Sequence, residues 1–149
     1  MAELQTSYTE TIPAGFPGMV ANGETSNRIT RTCEDAAGIP FGVPVYRGTG
    51  DHGCTRTPTA GALLGITIAT SAQALVAGQD ADEYAQYDNV AIMTQGVIWV
   101  TAGEAVTDGA AAYDTGTGIV DTATDNDAMD GWVFDTTGAN AALVKLAKR

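Results

Sequence analysis

The most strand-like part of the chain is NVAIMTQGVIWVT, residues Asn89–Thr101, which holds two runs rich in β-branched residues. Val90–Thr94 and Val97–Thr101 lie on either side of Gln95-Gly96. Residues of these types favour a pleated, half-buried strand. Because Gly is frequent in the tight turns that join strands, the pattern predicts a β-hairpin with its turn at Gln95-Gly96.

Shorter strand-like segments lie on both sides of this stretch. Asn27–Glu34 alternates apolar and polar residues, as a half-buried strand does. Ile39–Arg47 also alternates, but Pro40 and Pro44 remove donors from one side and predict an edge strand, and Gly48–Thr59 is typical of a polar loop. Further short segments bounded by turn residues are Leu63–Ile68, Ala105–Tyr113, Ile119–Thr122, Gly131–Phe134 and Ala141–Leu146. Together they predict an all-β fold, a small barrel or sandwich of short antiparallel strands.

The first 25 residues differ from the rest of the chain. They are interrupted repeatedly by the residues Pro13, Gly15, Pro17, Gly18 and Gly23. Such spacing disfavours a helix or a central strand and predicts an extended arm. We therefore divide the chain into an arm, 1–25, and a single β domain, 26–149, and expect the arm to have no partner within its own subunit.

Charge is distributed very unevenly along the 149 residues. The formal net charge is -11, and no Lys or Arg occurs between Thr57 and Val144, whereas twelve Asp and Glu residues do. Phosphates would be repelled by this region, which argues against nucleic acid as a direct partner. Neither a signal peptide nor an apolar stretch long enough to span a bilayer is visible, so we expect synthesis in the cytosol and no membrane partner.

Groups that could do chemistry are few. His52 is the single histidine, and it lies beside Asp51 and Cys54, with Cys33 as another thiol. A cysteine-histidine pair or a zinc site is conceivable there, but a loop histidine next to a buried cysteine is the favoured interpretation. No phosphate-binding glycine loop is present.

The acidic run Asp121–Gly131 superficially resembles a calcium loop. Counted from Asp125, it has Met129, Asp130 and Thr136 where an EF-hand needs a carboxylate or amide, a glycine and a glutamate. The sequence therefore predicts no catalytic, cofactor-binding or metal-binding residue and a protein that is not an enzyme. Two alternatives stay open: a glycan- or receptor-binding module that uses Trp99 or Trp132, and a small oligomeric β-barrel hydrolase.

Three stretches carry a resemblance to a known family. They are Gln5–Tyr8 followed by Pro13–Ala21, then Phe41–Val45, and then Tyr84–Val100. In their order and residue types these stretches resemble the structural cement proteins of tailed phages. The resemblance implies a capsid decoration protein without a cofactor, located on the outer surface of the virion. It would bind the major capsid protein and stabilise the shell by cross-linking its subunits.

The resemblance also suggests roles for individual residues. The capsid-binding arm would use Gln5, Thr6, Tyr8, Pro13, Phe16, Pro17 and Met19. Ion pairs with the capsid would use Arg28, Arg31, Lys145, Lys148 and Arg149. The protein would associate with itself, as a trimer or a dimer, through Tyr84, Tyr87, Trp99 and Trp132.

Overall fold

The computed structural model describes residues 14–59, 61–70 and 80–149. Its strands are β1 (Asn27–Cys33), β2 (Ile39–Pro40), β3 (Pro44–Arg47), β4 (Gly53–Thr55), β5 (Leu63–Thr67), β6 (Glu83–Tyr84), β7 (Asn89–Thr101), β8 (Ala111–Asp114), β9 (Ile119–Val120), β10 (Asp127–Phe134) and β11 (Leu143–Lys148). The part of the chain in these ranges contains no helix, and therefore none long and apolar enough to cross a membrane. The all-β prediction is confirmed.

Nine of the strands form one continuous sheet, in the order β1-β4-β3-β5-β7-β11-β10-β8-β9. Because β1 also pairs with β7, the strands β1, β4, β3, β5 and β7 close into a ring, which we call the barrel. Its strands are antiparallel except for β1 and β4, which run parallel with Cys33 opposite Cys54. The remaining strands, β2 and β6, form a separate two-stranded sheet.

The long strand β7 belongs to two structures at once. Its first half pairs with β1 and β5 in the barrel, and its second half, Gly96–Thr101, pairs with β11. The hairpin predicted at Gln95-Gly96 is therefore wrong, since the chain continues straight through as one strand. Gly96 lies where β7 passes from its pairing in the barrel to its pairing with β11. Its φ is 132°, and a Cβ at this position would lie 2.8 Å from Ser26 Cβ. This close approach, and no turn, is what requires glycine.

Beyond β7, the strands β11, β10, β8 and β9 form what we call the second sheet. It curls back so that Ile119 bridges to Ala102, one residue after β7 ends. Each half of the molecule has its own apolar cluster: Val90 and Ile92 contribute to the cluster inside the barrel, whereas Ile98 and Val100 contribute to the cluster under the second sheet. β7 thus supplies residues to both cores.

Two predictions between residues 39 and 59 need correction. Ile39–Arg47 is not one edge strand, because the chain turns at Gly42, with a φ of 71°, between β2 and β3. β3 lies between β4 and β5, and Pro44 is tolerated as its first residue. The segment predicted as a polar loop contains β4, whose Gly53 and Cys54 are buried.

The arm prediction also needs correction for the residues that the structure describes. Gly18 N donates to Trp99 O, Trp99 N donates to Met19 O, and Ala21 N donates to Val97 O. This segment therefore has a partner within its own subunit: it pairs with β7 on the edge that β11 leaves free. The physical reason is that β7 would otherwise expose unpaired backbone groups there. Gln5, Thr6, Tyr8 and Pro13 lie outside the described residues.

Candidate functional site

The docked N-terminal segment presents its large apolar side chains to solvent. Phe16 is 55% exposed and Met19 36% exposed, and Pro17 between them is exposed as well. We call these three residues the apolar ridge. The hydrogen bonds of Gly18 and Met19 to β7 hold the backbone of this segment, which places the three side chains on the surface. Exposed apolar groups that lie together are typical of a contact surface.

A cavity of about 720 Å³ opens beside the ridge. Its wall is largely apolar and includes Phe16, Pro17, Pro40, Phe41, Pro44 and Ile119. Arg56 also reaches the wall, but its guanidinium donates two hydrogen bonds, of 2.6 and 2.8 Å, to the buried carboxylate of Asp114. Since that charge is already neutralised, the cavity suits apolar groups better than an anion.

The Arg56–Asp114 pair was not foreseen from the sequence. Asp114 has a fully buried side chain and also accepts a hydrogen bond of 2.8 Å from Tyr46 Oη. These contacts connect β3 and the residue after β4 to β8, and so join the barrel to the second sheet. No spacing in the chain signals a contact between residues 58 positions apart.

Within the described ranges, three of the five predicted capsid-pairing residues, Arg28, Arg31 and Lys148, form no ion pair and lie over no aromatic ring. Arg149 forms ion pairs with Glu24 and Asp135, which raise its pKa further above its ordinary value. Lys148 Nζ donates to Asp130 O, and Lys145 Nζ lies 5.5 Å from the centre of the Trp99 ring. Arg28 and Arg31 likewise donate to neutral groups within the described ranges: their side chains donate to Ser26 Oγ and to the backbone carbonyl Thr30 O.

The predicted self-association surface is partly wrong. Tyr84 and Trp132 are each 1% exposed, so they belong to the core of the subunit and cannot contact another copy. Tyr84 Oη donates to Ile68 O, and burial raises its pKa. Trp99 is half-buried under Gly15, where a Cβ would lie only 2.7 Å from Trp99 Cδ1. Tyr87 is 77% exposed and remains a candidate for contact between subunits.

The groups considered for catalysis are not arranged for it. His52 is exposed in the turn between β3 and β4, whereas the thiols of Cys33 and Cys54 are fully buried. Burial raises the pKa of Cys33 to about 11 and that of Cys54 to about 12, which disfavours the reactive thiolate. Among the described residues, no three or more His, Cys, Asp or Glu side chains form a group that could hold a metal ion.

The fold and this surface point to a protein that works by contact with other proteins, and the comparison with protein families agrees. Residues 4–148 match the family described as Structural cement protein (E217 gp24/Pam3 gp6), so the chain belongs to this family of phage structural proteins. Its role is that of a capsid cement protein, which makes it a virion component that binds capsid proteins. The family's role is structural.

Comparison with solved structures supports the same fold. A chain from the capsid of Myoviridae phage XM1 matches with a TM-score of 0.69, over 99% of this chain and 97% of that chain. The two sequences are 14% identical, so the likeness concerns the fold. The comparison with curated protein sequences finds no match.

Proposed function

We propose that the protein binds the outer surface of a tailed-phage head and cross-links neighbouring subunits of the major capsid protein. The observation that carries this proposal is the apolar ridge, whose backbone pairs with β7 while its side chains stay exposed. Phe16 and Met19 would be buried against a capsid subunit. Complete burial of a fully exposed side chain of this kind contributes roughly 1.5–3 kcal/mol, and these two, already partly covered in the free subunit, would contribute less than that each. The adjacent cavity offers room for an apolar side chain of that subunit.

Self-association would strengthen this attachment. We propose a trimer or a dimer in which each subunit contributes one ridge, with Tyr87 as a candidate contact between subunits. Linking several weak sites raises the overall affinity by about 10²- to 10⁴-fold when the geometry lets them bind together. A shell under internal pressure would then be held by many modest contacts, without any covalent bond.

The residues before the ridge would extend the contact. Gln5, Thr6, Tyr8 and Pro13 precede it in the chain, and we propose that they bind the capsid surface next to it. A deletion of residues 1–13 keeps every hydrogen bond described between the ridge segment and β7. A deletion of residues 1–20 removes those of Gly18 and Met19, so the shorter deletion is the cleaner test of attachment.

The ridge can be tested on expanded heads that lack the protein. We expect the double variant Phe16→Ser, Met19→Ser to bind such heads at least tenfold more weakly than the wild type in co-sedimentation. Its melting temperature should change little, because both side chains are exposed in the free subunit. The exposed Thr124→Ala variant is the control and should bind normally. Full occupancy by the ridge variant would refute this assignment.

A further inference from the structure

The backbone groups of β1 point alternately to its two sides. Cys33 N donates to Asp88 O on the β7 side, and Thr32 N donates to His52 O on the β4 side. Because this alternation continues along a strand, Ile29 and Arg31 direct their N–H and C=O groups toward β7. Arg28 and Thr30 direct theirs away from it, toward the β4 side.

On that outer side, β4 is too short to cover the strand. Its pairing with β1 is limited to Thr32 and Cys33, because β4 begins at Gly53. Arg28 and Thr30 are exposed; among the described residues only β7 pairs with them, and no residue outside the strands accepts a hydrogen bond from their N–H groups. Thr30 O accepts one from the side chain of Arg31, at 2.9 Å. Among the residues that the structure describes, the N-terminal half of β1 is therefore an open sheet edge, the kind of backbone that another extended chain can join.

Charge indicates which chain would fit. Arg28 belongs to this edge, and the guanidinium of Arg31 reaches it through its hydrogen bond to Thr30 O. Neither arginine is neutralised by a carboxylate within the described part of the molecule. A second copy of β1 paired here would bring arginines against arginines, which is unfavourable. An extended segment carrying Asp or Glu would gain both backbone hydrogen bonds and charge-assisted contacts.

We propose that the open edge of β1 binds an extended acidic segment of a capsid subunit, which adds to the sheet as a further strand. This inference rests on the proposed function, since it supposes that capsid subunits are the partner. It adds a second contact surface, distinct from the apolar ridge. In this mode of recognition the backbone hydrogen bonds supply affinity, and the flanking side chains select the partner.

A substitution at Thr30 can test this edge without removing hydrogen bonds from the rest of the fold. Thr30→Pro removes the outward N–H, but no bond of the β1–β7 ladder, because that N–H points away from β7. Thr30→Val keeps the N–H and the branched shape, and so serves as the matched control. We expect Thr30→Pro to weaken binding to heads lacking the protein by about tenfold or more, and Thr30→Val to bind as the wild type does.

The charges are tested independently by a second pair of variants. Arg28→Glu, Arg31→Glu should weaken binding by at least tenfold, whereas Arg28→Lys, Arg31→Lys should retain most of it. Hydrogen exchange adds a direct readout: peptides covering residues 27–33 should exchange more slowly on heads than in the free protein. Circular dichroism shows whether each variant is folded. If Thr30→Pro does not fold, the Glu and Lys double variants and the hydrogen-exchange measurement test the inference instead.

The possible results separate the inference about the β1 edge from the proposed function on which it rests. Wild-type protein that fails to bind heads refutes the proposed function, and the inference with it. Heads that bind the wild type, Thr30→Pro and the Glu double variant equally well refute the β1 inference alone. Equal losses for Thr30→Pro and Thr30→Val also refute it, as does self-association in solution that Thr30→Pro abolishes, because the occupant would then be a second copy.

Discussion

One carboxylate organises the turn between β3 and β4. Glu34 accepts hydrogen bonds from Thr49 N at 2.7 Å and Gly50 N at 2.8 Å. These bonds favour the ionised form and lower the pKa of Glu34 below its ordinary value of 4.5. The turn that they hold carries His52, whose carbonyl binds β1. Glu34 thus helps to fix the place where β4 joins the barrel.

This contact predicts a dependence of stability on pH. Because the pKa of Glu34 is lower in the folded state, its stabilising effect is present above the unfolded value of 4.5 and is lost as the pH falls through the folded value. We expect Glu34→Gln to be less stable than the wild type at pH 7, with the difference shrinking at pH 3. Melting curves across this range measure it, and Asp108→Asn, at an exposed position, is the control.

The roles of individual residues were the hardest feature to predict from the sequence. Trp99 and Trp132 lie in strand-like segments, and the pattern shows only that one face of such a segment is buried. It does not show whether the burial is within one subunit or between two. The structure assigns Tyr84 and Trp132 to the core because strands distant in sequence close over them.

At the element scale, the strand positions were easier to predict than their connections. Asn27–Cys33 and Leu63–Thr67 were anticipated almost to the residue, because alternation and turn residues are local signals. The error at Gln95-Gly96 arose because glycine serves both in turns and at places where two backbones approach closely. Only the neighbouring Ser26, far away in sequence, distinguishes the two cases.

A second glycine tests how closely the barrel strands pack. Gly65 in β5 lies against β7, and a Cβ at this position would collide with the carbonyl oxygen of Met93. We expect Gly65→Ala to lower the free energy of unfolding by roughly 1–3 kcal/mol, since the strands must separate to admit the methyl group. Urea denaturation measures the change. Gly23→Ala is the matched control, because nothing lies within 4 Å of its added Cβ. An unchanged midpoint for Gly65→Ala would contradict the close packing.

At the scale of the whole molecule, the sharing of β7 predicts that the barrel and the second sheet unfold together. If either the barrel or the second sheet unfolded, β7 would lose the strands that pair with it on that side. Trp99 pairs with Lys145 of β11 and Trp132 belongs to the cluster under the second sheet, whereas the buried thiols Cys33 and Cys54 lie in the barrel. Tryptophan fluorescence and thiol labelling should therefore give the same urea midpoint. Thiols that become reactive at clearly lower urea would show that the barrel opens separately.

The general class of the fold was predictable, but its closure was not. Composition and short alternating segments predicted many strands around a small core, as the structure has. The parallel pairing of β1 with β4 and the return of β1 to β7 depend on contacts between distant residues, which no local pattern encodes. The docking of Gly18–Ala21 was missed for the same reason: its partner is an edge that exists only after β7 and β11 have paired.

The shared strand also determines how the subunit would transmit mechanical force. Hydrogen bonds in an antiparallel ladder run perpendicular to the strands. A pull that moves β1 lengthwise against β11 therefore loads the bonds along β7 in shear, many at once, and does not peel them apart one after another. The covalent backbone of β7 then carries tension from one half of the subunit to the other.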